Sequence, residues 1–240
     1  RSFLRNGAAA MAALLTGSTS LTGNSRLPAP VEPQKKYDFK LKYAPHFGMF
    51  ENHAGKDPLD QLQFMADAGF RALEDNGMKR RKTEMQEKIA SRMANLGMDM
   101  GGFVAHTIYW SEPNLAGGDP NLLDEFLSEI SDSVTVARRI NARWMTVVPG
   151  HVDLGKDREY QTRNVIEALK RAAGILEPHD LVMVIEPLNF RDHPGLYLKK
   201  IPQAYQICQA VGSPSCKILN DLYHQQIQEG NLIPNIDLAW

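Results

Sequence analysis

The chain has 240 residues, 43% hydrophobic and 23% charged, which is ordinary for a globular protein and long enough for one sizeable core. Its formal net charge of -1 gives no reason to expect nucleic acid or an acidic membrane surface as a partner. The two cysteines, Cys208 and Cys216, form neither a CxxC motif nor a disulfide framework and read as free thiols.

The opening stretch, RSFLRNGAAAMAALLTG, pairs a basic start with a mildly apolar, Ala-rich segment of signal-peptide length. It is too short and too Ala-rich for a stable membrane span. RSFLRN resembles the twin-arginine export signal (two arginines, any residue, then Phe-Leu and often a basic residue), with Arg1 as the arginine of the pair in view. Residues 1–23 are therefore expected to be an export signal directing the protein to the bacterial periplasm, with the chain starting a few residues inside that signal. Residues 24–39, proline-bearing and mixed in polarity, read as a linker, and residues 40–240 as the folded domain.

From Lys40 onward short apolar runs alternate with longer helical patterns. The candidate strands are LKYAPHF from Leu41, FRALE from Phe70, MDMGGFVAH from Met98, ARWMTVVP from Ala142, LVMVIE from Leu181 and CKILND from Cys216. Between them lie DPLDQLQFMADAG, KTEMQEKIASRMANLG, DPNLLDEFLSEISDSVTVARRI, REYQTRNVIEALKRAAGILE and IPQAYQICQAV, several opening at an Asp cap or closing at Gly. Strand starts roughly 30 to 45 residues apart are the spacing of right-handed βα units. Six such units in a row point to an α/β fold of the (β/α)₈ TIM-barrel type. HFGMFENHAG lacks the GxGxxG turn of an open nucleotide-binding sheet. A sixth helix is expected from near Tyr223 through NLIPNIDLAW. On that count two further strands and helices would complete the barrel, so the chain reads as a fragment, expected to be inactive alone.

Chemistry in such a barrel collects at the C-terminal ends of the strands. Those ends carry His46, Glu74 with Asp75, His106, Pro149 with His151, Glu186, and Asp221 with His224. The five apolar residues from Leu181 to Ile185 suit a strand buried on both faces, and it ends abruptly on an acid followed by Pro187. Glu186 and Asp221 lie on consecutive strands, which run about 5 Å apart. Two carboxylates that near repel unless a positive charge sits between them. An all-oxygen pair favours Mg²⁺ or Mn²⁺ over zinc, and a buried Arg or Lys would serve equally; spacing alone leaves both open.

VIEPLNFRDHPG followed by CKILNDLYHQQIQEGNL resembles the hydroxypyruvate isomerase family, one branch of the xylose isomerase-like barrels. The resemblance runs from about Lys42 to the end and is diffuse before Ala142. In that family the Glu of an IEP-(hydrophobic)-N motif and the Asp of a D-(hydrophobic)-YH motif bind a divalent metal, and the Glu also acts as acid/base. The resemblance thus implies Glu186 as catalytic residue and metal ligand, and Asp221 as second ligand. It matches His224 to the histidine after the Asp, and Asp192 to an acid six positions after the Glu that occurs in related ketose epimerases. His106, His224 and Asp192 are expected to hold substrate oxygens. Asn220 departs from the larger side chain often found before the Asp. The family's remaining ligands and its second catalytic Glu come from strands seven and eight.

The chemistry implied is isomerisation of a small hydroxy-keto acid or sugar: a rigid, partly dehydrated carboxylate removes a proton beside a carbonyl, and a metal stabilises the enediolate. A ketose 3-epimerase of the same superfamily and a non-catalytic barrel that binds small molecules stand as alternatives. A zinc nuclease of the endonuclease IV type would need several zinc-binding His and a basic groove, which the near-neutral charge argues against. The sequence leaves a homo-oligomer open. KRRK at Lys79 to Lys82 reads as a solvated helix start, and Phe103, Tyr109 and Trp110 as walls of a small-substrate pocket.

Overall fold

A computed structural model describes residues 36–240. The expected export signal, and the expected linker up to residue 35, lie outside the described residues. Residues 37–39, also assigned to the linker, are held against the body: the Tyr37 N–H donates to Ala68 O at 2.9 Å, and the Phe39 ring lies 4.9 Å from that of Phe70.

The elements follow in the order α1 (Glu51–Ala54), α2 (Pro58–Ala68), β1 (Ala72–Leu73), α3 (Thr83–Leu96), β2 (Asp99–Met100), α4 (Pro120–Ile140), β3 (Trp144–Val147), α5 (Arg158–Leu176), β4 (Val182–Ile185), α6 (Ile201–Val211), β5 (Cys216–Ile218), α7 (Leu222–Gln228) and α8 (Leu232–Ala239). The strands pair parallel as β1-β2 and as β3-β4-β5, so neighbours in space are neighbours in sequence. Parallel bridges extend the series: His46 pairs with Glu74 ahead of β1, while Met100 with Ala142 and Val104 with Thr146 join β2 to β3. Six consecutive parallel positions, each leading into helical chain, are the arrangement of a (β/α)₈ barrel wall.

Each strand is shorter than its apolar run. LKYAPHF forms no strand and contributes only the bridge at His46, since Leu41 and Tyr43 are exposed and Pro45 has no N–H to donate. MDMGGFVAH forms a strand only at Asp99–Met100; Gly101 and Gly102 interrupt it, and pairing resumes as the single bridge at Val104. Gly101 sits against β1: a Cβ there would stand 3.1 Å from Leu73 O and 3.5 Å from Glu74 Cβ. β4 is buried at every position and flanked by β3 and β5, as its unbroken apolar run requires. The helix expected from Tyr223 to the end is instead two, because Gly230 (φ 62°) and Asn231 (φ 51°) adopt left-handed backbone that a helix cannot continue through.

The core lies between strands and helices, with Met145, Val147, Met183 and Ile185 from the strands meeting Phe126, Ile130, Leu169 and Leu176 from α4 and α5. The α4 start is set by Asp119, whose carboxylate accepts from Asn121 N at 2.8 Å ahead of Pro120 at the first helical position. Asp119→Ala is expected to cost about 1 kcal/mol in urea unfolding, the usual value of such a cap. KRRK is more structural than a solvated helix start: Lys79 Nζ donates to Ala105 O (2.6 Å) and Glu129 O (2.8 Å), and Arg81 pairs with Asp75 at 2.5 Å. Cys208 and Cys216 are free, their sulfurs 3.8 Å apart. Among the described residues no helix is long and apolar enough to cross a membrane.

Candidate active site

Glu186 follows β4 directly and is pinned by its neighbours. Its own N–H donates to Val147 O (3.2 Å), and Ile185 O accepts from Leu219 N (3.0 Å), so the backbone on either side of the acid is tied to both adjacent strands. Pro187 then turns the chain out, and Leu188 N donates to Leu198 O (3.2 Å), closing the loop that carries Asn189 and Asp192. Asp221 leaves β5 as the N-cap of α7. Its Oδ1 accepts from Tyr223 N (2.8 Å) and His224 N (3.3 Å), which leaves Oδ2 to face the neighbouring strand end.

One turn of α7 brings His224 back over the two acids. Its Nε2 lies 4.0 Å from Glu186 Oε1 and 3.8 Å from Asp221 Oδ2, and one ligand atom from each of the three residues falls within 4.8 Å of the others. The His224 side chain is 10% exposed, Glu186 18% and Asp221 31%, so the cluster opens to solvent on the Asp221 side. Burial, then the negative charges of Asp221 and Glu74, push the Glu186 carboxyl up to about 7. Burial also raises Glu74, opposed by His46 and reinforced by Asp221. Three acids therefore share one field at the strand ends. Glu74 received no role from the sequence beyond its strand-end position; the one signal available was its place at the end of FRALE.

Around His224 the side chains interlock. Asn189 donates from Nδ2 to Asp192 Oδ2 (3.0 Å) and lies 2.8 Å from His224 Nδ1, while Tyr223 OH donates to Asp192 at 2.6 Å. These bonds hold the Asp192 carboxyl below its ordinary range, and burial holds the His224 imidazole below its own against the pull of Asp221. Trp110 is half exposed and stacks on His193 at 5.0 Å, and His193 meets the His224 ring edge-on at 5.4 Å.

The structure thus brings together Glu186, Asp221 and His224, with Asp192 linked through Asn189. His106 is corrected: it is 4% exposed, accepts from Val148 N at its Nε2 (3.2 Å) and meets Phe126 edge-on at 5.0 Å, against α4. Burial drives its pKa down to about 4, as expected of a neutral packed imidazole and not of a ring open to substrate oxygens. Of the three aromatic residues expected to line a pocket, Phe103 is fully buried in the core and Tyr109 bonds Glu125 at 3.1 Å; Trp110 alone connects to the ring system over the acids.

A parallel α/β barrel wall with acids and an imidazole converging at its C-terminal strand ends defines a barrel built to carry a site at that face. The chain belongs to the xylose isomerase-like TIM barrel family, whose pattern it matches over residues 62–239. It is 30% identical over 138 residues to hydroxypyruvate isomerase from Escherichia coli (strain K12), covering 53% of this chain and 52% of that protein. It is 26% identical over 181 residues to 2-oxo-tetronate isomerase from Pectobacterium atrosepticum, covering 72% and 66% respectively. The crystal structure of an AP endonuclease, family 2, from Brucella melitensis superposes with a TM-score of 0.70 at 25% identity, covering 81% of this chain and 74% of that one. The chain spans about half the length of the first curated relatives it matches.

Proposed function

We propose that the protein is a metal-dependent isomerase that moves a carbonyl between adjacent carbons of a small hydroxy-keto acid or sugar. The observation that carries this reading is the convergence of Glu186, Asp221 and His224 within 4.8 Å at the ends of neighbouring strands. No Arg or Lys is bonded to either acid among the described residues' ion pairs, which favours a divalent cation over a buried basic side chain as the compensating charge. Glu186 and Asp221 would hold Mg²⁺ or Mn²⁺, hard ions suited to carboxylate oxygen, and the ion would polarise the substrate carbonyl.

The chain's own residues account for the proton movement. Glu186, fixed in place and poised near neutrality, takes a proton from the carbon beside the carbonyl, leaving an enediolate. Return of that proton to the neighbouring carbon completes the isomerisation, as in hydroxypyruvate ⇌ tartronate semialdehyde. His224 faces the same space and would hold a substrate oxygen; Asp192, at the rim, would hold another. The RSFLRN pattern extends the proposal to a periplasmic site of action.

The test is a screen of the full-length protein with Mg²⁺ or Mn²⁺ on hydroxypyruvate, 2-oxo-tetronate and simple ketoses in deuterated water. Isomerisation should move the carbonyl and place solvent deuterium on the carbon that lost it. Inversion at one carbon, with deuterium there and no carbonyl migration, would replace this reading with the ketose 3-epimerase, which the placement of Asp192 beside His224 also suits. A protein that binds no metal and turns over nothing would be a non-catalytic barrel.

A further inference from the structure

We infer that Asn189 is a positioning residue that locks the neutral His224 imidazole as its Nε2–H tautomer, so the ring offers the space between Glu186 and Asp221 a proton donor and not a metal-binding lone pair.

The lock is built from hydrogen bonds whose directions are forced. Asn189 Oδ1 lies 3.0 Å from Arg191 N and 3.0 Å from Asp192 N, both backbone donors, so this atom is the carbonyl oxygen. A flipped amide would set its NH₂ against two N–H groups. Nδ2 is therefore the NH₂, and its two hydrogens serve Asp192 Oδ2 at 3.0 Å and His224 Nδ1 at 2.8 Å. The Asn189 backbone N–H approaches the same Nδ1 at 3.4 Å. With two donors aimed at it, Nδ1 must be the bare nitrogen, and the proton of a neutral ring sits on Nε2.

The consequence falls on the acid cluster. Nε2 is the atom facing Glu186 and Asp221, at 4.0 and 3.8 Å. Carrying hydrogen, it cannot coordinate an ion, so the distance-based trio reduces to two carboxylates plus a donor. Histidines that bind metal through Nε2 give their other N–H to an acceptor such as a carboxylate or carbonyl. Here the groups behind the ring, the Asn189 amide and backbone N–H, present donors, the opposite arrangement. An N–H aimed between two acids suits an oxygen that gains negative charge during reaction, as an enediolate oxygen does. That use rests on the proposed isomerase reading; the tautomer does not.

The experiment uses the full chain, labelled with ¹⁵N, free of metal and substrate and held near pH 8, where a neutral imidazole is expected. Long-range ¹H–¹⁵N correlation should show His224 with a protonated Nε2 and a bare Nδ1. A wild-type ring protonated at Nδ1 overturns the inference outright. Asn189→Asp keeps an oxygen for the Arg191 and Asp192 N–H groups but replaces the NH₂ with an acceptor. Because that oxygen would meet Asp192 Oδ2 at 3.0 Å, the variant also carries Asp192→Asn, whose NH₂ can donate to it and which leaves the net charge unchanged. The charged acceptor then outweighs the longer backbone N–H, so the proton should move to Nδ1 and free the Nε2 lone pair. Zn²⁺ affinity of this variant should then rise by about tenfold or more, the scale on which outer partners tune histidine ligands. A variant whose Nδ1 stays bare, or whose Zn²⁺ affinity is unchanged, overturns the role of Asn189. Both readouts come from resting protein, so they stand or fall independently of whether it turns over any substrate.

Discussion

Glu186→Gln in the full-length protein is expected to lose on the order of 10²- to 10⁴-fold in turnover, the usual contribution of a positioned acid/base, while the barrel stays folded. It should also be the more stable protein at alkaline pH. The native carboxyl titrates at about 7 against an ordinary value of 4.5, because burial and the charges of Asp221 and Glu74 disfavour its ionised form. A raised acid favours the fold while protonated: its contribution is complete below pH 4.5 and is lost as pH rises through about 7. The interval is equivalent to about 3 kcal/mol. Glutamine never ionises, so unfolding free energies measured with urea in metal-free buffer should diverge from the parent across that window, the variant ending higher by as much as about 3 kcal/mol. A variant that keeps most of its turnover removes Glu186 from the chemistry. A parent whose stability is flat between pH 5 and 8 removes the electrostatic tension described for the site.

The second large effect concerns the ion. Saturating Mg²⁺ or Mn²⁺ should relieve the repulsion between Glu186 and Asp221 and raise the melting temperature of the full-length protein. At a concentration one hundred times Kd the gain is about 2.7 kcal/mol. Asp221→Asn is the informative variant, because an asparagine oxygen can still cap α7 by accepting from Tyr223 N and His224 N. It removes the charge and leaves the helix start. The metal-dependent rise should then shrink to near nothing, with calorimetric titration showing the matching loss of affinity. A rise of equal size in parent and variant would place the ion elsewhere and leave the paired acids without a purpose.

Much of this was legible in the chain. Asp57 and Asp119 ahead of prolines marked helix starts, Gly69 and Gly97 marked ends, and the run from Leu181 to Ile185 marked a strand flanked on both sides. Glu186, Asp221 and His224 were readable because strand ends and the first turn of a helix have fixed positions in a barrel, so spacing in sequence converts to proximity in space. What escaped was set by side-chain direction. His106 stands at a strand end like the others, yet its ring goes to Phe126 and the helix layer. Residues along a strand alternate between two faces, and an interruption such as Gly101–Gly102 shifts which face follows. Asn189 was visible only as a letter in a motif, because its importance lies in which way its amide is turned.

Gly101 also bears on the acids, although it has no side chain with which to reach them. β2 passes so near the end of β1 that a methyl group there would press on Leu73 O and rest against the root of Glu74. The spacing of the two strand ends is thus gauged by a vacancy in the wall: any larger residue would act as a shim between them, displacing the stretch of β1 that leads into Glu74.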